Sequence, residues 1–375
     1  MSKEHQTKFE KDGSSRFRKL IHNLVLMGFT GLLCFLMLEI GLRVVYGDPP
    51  NFLDPQVKHI SMPYGYKLEP GQSGTFTLDK PVRSNSQGFR DDEWVMPKPN
   101  SVCRIMLLGD SFTFGNNVRQ EDTFGARLEE TLTERSQASE SVEVLVAGIG
   151  GWNIDNYTEF FITEGVGYEP DAVVVSFFQN DFRYNRNPIG IPNFSKEGRV
   201  ESRPVWLRWL PWPWIFFIKR SALVTYLRDR VAVLSAVRHG LFVDNWRQRL
   251  MLNELDLDTD PVVQITYDEF RRINRVAKDL GIPMGIAVIP AINTFWGEPI
   301  AWRFIDHLRK FGEVEGIHIV DLADGFWQED DTNRFYGYPW DNHFNAHGHR
   351  IVTEQLAPFV TRMFSSNSAE MSLCP

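Results

Sequence analysis

The chain has 375 residues, of which 43% are apolar and 23% charged, the composition of an ordinary globular protein with a full core. A net charge of -8 without a basic stripe argues against a general nucleic-acid binder. The three cysteines, Cys34, Cys103 and Cys374, are too few and too scattered for a disulfide framework or a zinc site, so Cys34 and Cys103 read as plain buried thiols.

Residues 1–19 form a tail with Lys3, Lys8, Lys11, Arg16, Arg18 and Lys19 against Glu4, Glu10 and Asp12. From Leu20 to Leu38 no Asp, Glu, Lys or Arg occurs, about the length that crosses the hydrocarbon core of a bilayer as a helix. The positive-inside rule keeps the tail in the cytoplasm and puts the rest of the chain outside it, in the periplasm or at the cell exterior. A cleaved signal peptide would have a shorter apolar core and end at small residues, and Glu39-Ile40-Gly41-Leu42-Arg43 offers no such site. Leu32-Leu33-Cys34 is a poor lipoprotein signal. Glu39 and Arg43, four apart, can pair on one helix face. The expectation is a single-pass anchor over residues 20–46.

Residues 47–100 are rich in proline, glycine and polar side chains. They read as a stalk with a small β region at Gly74–Leu78 and a turn over Ser84–Arg90. From residue 101 to 364 short apolar runs alternate with helical patterns. The strands are Ile105–Leu108, Val142–Val146, Ala172–Phe177, Met284–Ile289 and His318–Asp321; the helices are Asp122–Ser136, Ile154–Glu164, Tyr267–Leu280, Phe304–Phe311 and His347–Phe364. Continuous apolar strands separated by helices imply an α/β fold with a parallel sheet covered on both faces. In such sheets functional residues gather at the carboxyl ends of the strands. Residues 187–262 interrupt this rhythm with Trp206, Trp209, Trp212, Trp214, Phe216 and Phe217 beside Arg208, Lys219 and Arg220, followed by a helical pattern from Ser221 to about Leu250. This insert reads either as a packing subdomain with a hydrophobic seam or as a lid that borders the active site and touches the membrane surface. Residues 365–375 are a tail.

Four strings carry chemistry. Gly109-Asp110-Ser111-Phe112-Thr113-Phe114-Gly115 follows the first strand directly. Gly148-Ile149-Gly150-Gly151-Trp152-Asn153 follows the second, and Phe178-Gln179-Asn180-Asp181 the third. Asp341-Asn342-His343-Phe344-Asn345-Ala346-His347-Gly348-His349 precedes the last helix. Each alone can be an ordinary turn or cap. A serine hydroxyl becomes a nucleophile only when a base takes its proton. His343 is the candidate base, Asp341 the acid that orients it; His347 and His349 are rivals whose plainer reading is polar residues at a helix start. Gly148-Ile149-Gly150-Gly151 lacks the full dinucleotide fingerprint, and no convincing metal-ligand spacing occurs.

In this order the four strings resemble the sequence blocks of the SGNH/GDSL hydrolase family over residues 101–364, with the insert as an addition. The resemblance implies a three-layer α/β/α fold with a central parallel sheet of flavodoxin-like type, preceded here by one transmembrane helix. It implies Ser111 as nucleophile, His343 as base and Asp341 as acid. Its oxyanion donors are the Ser111 N–H, a glycine N–H matched best by Gly151 (Gly148 and Gly150 remain possible) and the Asn180 side chain. Acid and base stand two residues apart, whereas the family often spaces them three apart, and Phe178 stands where it often has glycine. No cofactor or metal is required. The implied reaction is hydrolysis of an O-acyl ester, most simply O-acetyl on a cell-surface carbohydrate, with membrane lipid as a partner of the anchor. Three alternatives stay open: an O-acetyltransferase using the same residues, a lysophospholipase or thioesterase, and an inactive scaffold or glycan-binding protein.

Overall fold

A computed structural model describes residues 3–49, 56–75, 80–136, 141–182, 211, 214, 217–218, 220–227, 230, 255–290, 302–327, 332–337 and 339–364, with backbone alone for residues 3–17, 302, 332 and 333. Trp206, Trp209, Trp212, Phe216, Cys374, the helical pattern beyond residue 230 and the tail 365–375 lie outside the described residues. The chain divides into two units: residues 1–50 with 210–232, and residues 51–209 with 233–375.

In the first unit, helix α1 runs from Lys3 to Tyr46. Its Arg18–Tyr46 part is long and apolar enough to cross a bilayer, and Leu24, Val25, Phe29 and Leu36 are exposed along it. The residues 222–227 are helical and lie against its C-terminal end.

The second unit is built on a five-stranded parallel sheet. Its strands are β5 (Val102–Gly109), β6 (Ser141–Gly148), β7 (Ala172–Phe177), β8 (Met284–Val288) and β9 (His318–Asp321), in spatial order β6-β5-β7-β8-β9. Side chains alternate across a strand, so one run feeds two cores. Ile105 and Leu107 face Leu128, Leu132, Val352 and Leu356, from α3 (Phe124–Arg135) and from α7 (Ala346–Phe364). Met106 and Leu108 face Tyr157, Phe160, Phe270 and Leu308, from α4 (Ile154–Thr163), α5 (Pro261–Leu280) and α6 (Trp302–Glu315). Each such side chain stabilises the fold by roughly 1.5–3 kcal/mol through its burial. The result is the expected three-layer α/β/α fold. The strand order turns back on either side of β5, and the crevice outside the carboxyl ends of β5 and β7 is the place such folds use for ligands.

Residues 57–75 and 80–94, expected as stalk and small β region, form two antiparallel strand pairs; Phe76, Thr77 and Leu78 of the expected β region lie outside the described residues. The pairs are β1 (His59–Met62) with β2 (Gly65–Leu68), and β3 (Ser73–Thr75) with β4 (Pro81–Arg83). Tyr64, Tyr66, Leu68, Phe89 and Trp94 are buried in the same core as Trp152 and Phe160. Two arginines hold this segment to the sheet. Fully buried Arg104 on β5 pairs with Glu143 at 2.6 Å and donates to the carbonyls of Val95 (2.8 Å) and Tyr168 (2.7 Å). Buried Arg90 donates to the carbonyls of Phe114 (2.9 Å), Gly115 (2.6 Å) and Val118 (2.7 Å). Helix α5 begins six residues before its expected start because Asp260 accepts from the backbone N–H groups of Val262 and Val263 and Pro261 occupies the first turn. Cys103 is disulfide-bonded, which corrects its reading as a thiol, and Cys34 is free and exposed rather than buried.

Candidate active site

Strand β5 ends at Gly109, and the chain turns at once into the short helix α2 (Ser111–Phe114). Asp110 caps this turn, its carboxylate accepting the Phe112 N–H at 2.9 Å, and Gly115 ends it in the left-handed region at φ 73°. Ser111 is thereby held at the sheet's carboxyl edge with 8% of its surface exposed. His343 and Asp341 arrive on the loop before α7. The Ser111 hydroxyl lies 2.8 Å from His343 Nε2, and His343 Nδ1 lies 2.7 Å from Asp341 Oδ1, both at hydrogen-bond distance. The same Asp341 oxygen accepts the His343 backbone N–H at 2.7 Å. That second bond explains the two-residue spacing: an aspartate two positions before a residue can grip its backbone, and here it also reaches the ring.

Across the fold, residues 107–351 match the family described as GDSL-like lipase/acylhydrolase. The chain belongs to this family. It is a hydrolase that acts on ester bonds. Similar solved structures include TesA (10% identity, 69% of this chain and 99% of that one, TM-score 0.42). Others are an acetyl xylan esterase, AlAXEase (16% identity, 68% and 99%, TM-score 0.40), and a putative lipolytic protein of the G-D-S-L family from Desulfitobacterium hafniense DCB-2 (13% identity, 68% and 98%, TM-score 0.38). No curated protein sequence matches the chain.

The other expected site residues of this GDSL hydrolase sit in loops beside β5. Gly151 lies in the loop after β6 at φ 88°, and a Cβ there would stand 2.8 Å from the Tyr66 hydroxyl. That hydroxyl donates to the Gly150 carbonyl at 2.8 Å, and Trp152 Nε1 donates to the Tyr66 carbonyl at 2.8 Å, so β2 fixes the glycine loop. Gly148 is the last residue of β6, and Gly150 is held through its carbonyl. Asn180 is exposed in the loop after β7 and its side chain hydrogen-bonds the Asp110 carboxylate. Asp181 closes that loop by accepting the Phe178 N–H at 2.7 Å. Ser111, His343 and Asp341 thus form one continuous chain of contacts, and Asn180 joins it through Asp110.

Three groups at the site have displaced proton affinities. Burial pushes the His343 ring down, but the Asp341 carboxylate in contact with it and the nearby Asp110 outweigh this, so the ring titrates above its usual 6.5. Asp110 is raised by burial, against the opposing pull of the Phe112 N–H, His343 and Asn180. His349 is buried; its Nδ1 accepts the Phe124 N–H at 3.1 Å, and burial pushes it down to about 3. It is a neutral acceptor that ties α7 to α3: it stands at the helix start, as read, but is buried there rather than on the surface. The half-buried His347 donates its backbone N–H to the Asn345 side-chain oxygen, which also accepts the Gly348 N–H and caps α7. Arg90, which clamps the end of α2, carried no sequence signal, because a lone arginine after a turn reads as surface. Among the described residues no three His, Cys, Asp or Glu side chains converge as a metal site.

Phe112 forms an aromatic wall at the site. Its ring lies 4.5 Å from that of Phe178, 4.9 Å from Phe344 and 5.0 Å from His343. Phe178 therefore fills the place where glycine is often found with a ring.

Proposed function

We propose that Ser111 attacks the carbonyl carbon of an O-acyl ester while His343 Nε2 takes its proton. Asp341 holds the proton on Nδ1 and stabilises the imidazolium that forms. The Ser111 N–H, the Gly151 N–H and the Asn180 side chain bind the oxyanion. His343 then returns the proton to the departing alcohol oxygen, leaving an acyl group on Ser111. Water, deprotonated by the same ring, attacks the acyl group and releases the acid. The observation that carries this reading is the unbroken contact from the Ser111 hydroxyl through His343 to Asp341.

The acyl group is small, most simply acetate on a cell-surface carbohydrate. The crowding of Phe112, Phe178 and Phe344 beside His343 favours a short acyl chain. Helix α1 anchors the enzyme in a membrane with its basic N-terminal tail in the cytoplasm and the hydrolase unit outside it. The disulfide at Cys103 is consistent with an oxidising compartment.

The test is acid release from a series of 4-nitrophenyl esters by the full chain in detergent, wild type beside Ser111→Ala. Turnover of the acetate ester that drops to background in the variant supports the nucleophile, and a rate that falls with acyl length supports the small group. Equal rates in wild type and variant overturn the assignment of Ser111. Preference for long chains overturns the acetyl reading in favour of a lipid ester.

A further inference from the structure

The outer end of α1 carries a carboxylate where an apolar helix leaves the hydrocarbon. Glu39 follows the uncharged run Leu20–Leu38 directly, and an acidic group at that position is costly unless it is paired. Every lone-pair direction of Glu39 is used, and most of its partners come from the distant segment 210–232. Oε1 accepts the Ala222 N–H at 2.9 Å and Arg43 Nε at 2.9 Å. Oε2 accepts the Ser221 hydroxyl at 2.8 Å and the Leu223 N–H at 2.9 Å. Glu39 therefore caps the helical turn at 222–227 from outside, as a side chain caps its own helix. Arg43 completes the joint by donating to the Arg220 carbonyl at 2.7 Å and pairing with Asp48.

The contacts continue on both sides of this joint. The Phe35 ring lies 5.8 Å from that of Phe217, and the Tyr46 ring stacks on Tyr226 at 6.3 Å. Phe35, Glu39, Arg43 and Tyr46 fall at intervals of four, four and three, which is one face of an α-helix. Phe35, Glu39, Leu42 and Arg43 are partly covered, while the neighbouring positions of α1 from Gly31 to Tyr46 are exposed. The segment thus runs alongside α1, from the level of Phe35 to that of Tyr46, about 16 Å of helix rise. Phe35 belongs to the uncharged run, so Phe217 opposite it stands at the edge of the hydrocarbon. Its own ring remains 48% exposed and Trp214, one turn earlier, 61% exposed.

We infer that segment 210–232 is a second membrane element, seated in the outer leaflet beside α1 and fastened there by Glu39, with Trp214 and Phe217 in contact with lipid. This rests on the reading of α1 as a membrane span. The occupant is lipid because the exposed rings continue the apolar surface of α1, and because tryptophan beside Arg220 is the pairing that suits the bilayer interface. The joint also gives Glu39 its function: it turns one anchor helix into a two-part anchor.

The full chain in lipid nanodiscs tests this with dansylalanine placed singly at position 214, at position 32 in α1 and at position 134 on α3. The expected result is quenching of the position-214 probe by doxyl-labelled lipid to within about twofold of the position-32 probe, with iodide quenching only at position 134. A position-214 probe that iodide quenches as it does position 134, while position 32 stays in lipid, overturns the inference and leaves the anchor standing. Position 32 in water overturns both. In Glu39→Ala the lipid quenching at position 214 falls by about half or more, with ester turnover unchanged. Unchanged quenching there overturns the fastening role of Glu39.

Discussion

Gly109 and Gly148 stand opposite each other in register at the carboxyl ends of β5 and β6, and a Cβ on either would collide with Thr113 of α2. The serine turn thus rests on two bare strand ends. At Gly148 the added carbon would lie 2.7–2.9 Å from Thr113 and the Phe114 N–H, so the backbone of α2 has to shift. Gly148→Ala is expected to cost about 1–3 kcal/mol in urea unfolding. Its ester turnover is expected to fall by roughly a hundredfold, because small displacements of a nucleophile are expensive. Full turnover in the variant would show that α2 tolerates the move.

The ring of His343 must be neutral to take the Ser111 proton. Its affinity for protons is raised above 6.5 by Asp341 and Asp110, so kcat/KM rises with pH through an inflection above that value. Asp341→Asn removes the charge in contact with the ring. The inflection then moves to lower pH while kcat drops, because the amide no longer stabilises the imidazolium. A pH profile of both proteins on one activated ester checks this, and an inflection that stays in place contradicts the pairing.

Asp110 holds two things at once, the Phe112 N–H and the Asn180 side chain. Asn180→Ala removes a proposed oxyanion donor, with an expected loss of about 100- to 1000-fold in kcat and little change in KM. Asp110→Asn keeps a cap for α2 but gives Asn180 a weaker partner, and is expected to lose about tenfold in kcat. It also lowers the inflection of the His343 limb, since Asp110 contributes to raising it. Steady-state kinetics on the two variants separate the donor from the residue that aims it.

His349 links stability to acid. Its folded value is about 3, whereas an unfolded chain takes up the proton near 6.5. Below about pH 6.5 the unfolded state gains a proton that the folded state refuses, so this contribution is present above that pH and fades down to about 3. His349→Gln keeps an acceptor for the Phe124 N–H without the titration. Urea unfolding at several acidic pH values should give a shallower loss of stability in the variant than in wild type; parallel curves would remove His349 from the account.

The parallel sheet was legible because Ala172–Phe177 and its neighbours are continuous apolar runs that only a doubly covered strand explains. The contact of Ser111 with His343 and Asp341 was legible because the serine follows a strand end and the other two lie together before the last helix. Tyr64, Tyr66, Phe89 and Trp94 were not: polar residues separate them without a period, and their burial depends on Trp152 and Phe160, far along the chain. The burial of Arg90 and Arg104 was not legible either, since nothing local announces the backbone carbonyls that receive them. The start of α5 was within reach, for Asp260-Pro261 is a helix-opening pair. The seat of 217–226 against α1 needed the structure, because Glu39 and Ser221 are 182 positions apart.

Ser111 and His343 are separated by 232 positions. Synthesis delivers Ser111 long before His343, and His343 sits on a loop held by the Gly337 N–H, which donates to the His343 carbonyl at 2.9 Å, and by the start of α7. A growing chain halted anywhere before residue 343 holds Ser111 without its proposed base. On the proposed mechanism the chain is therefore without ester turnover while it is being made, and becomes competent only once the last helix has docked on α3.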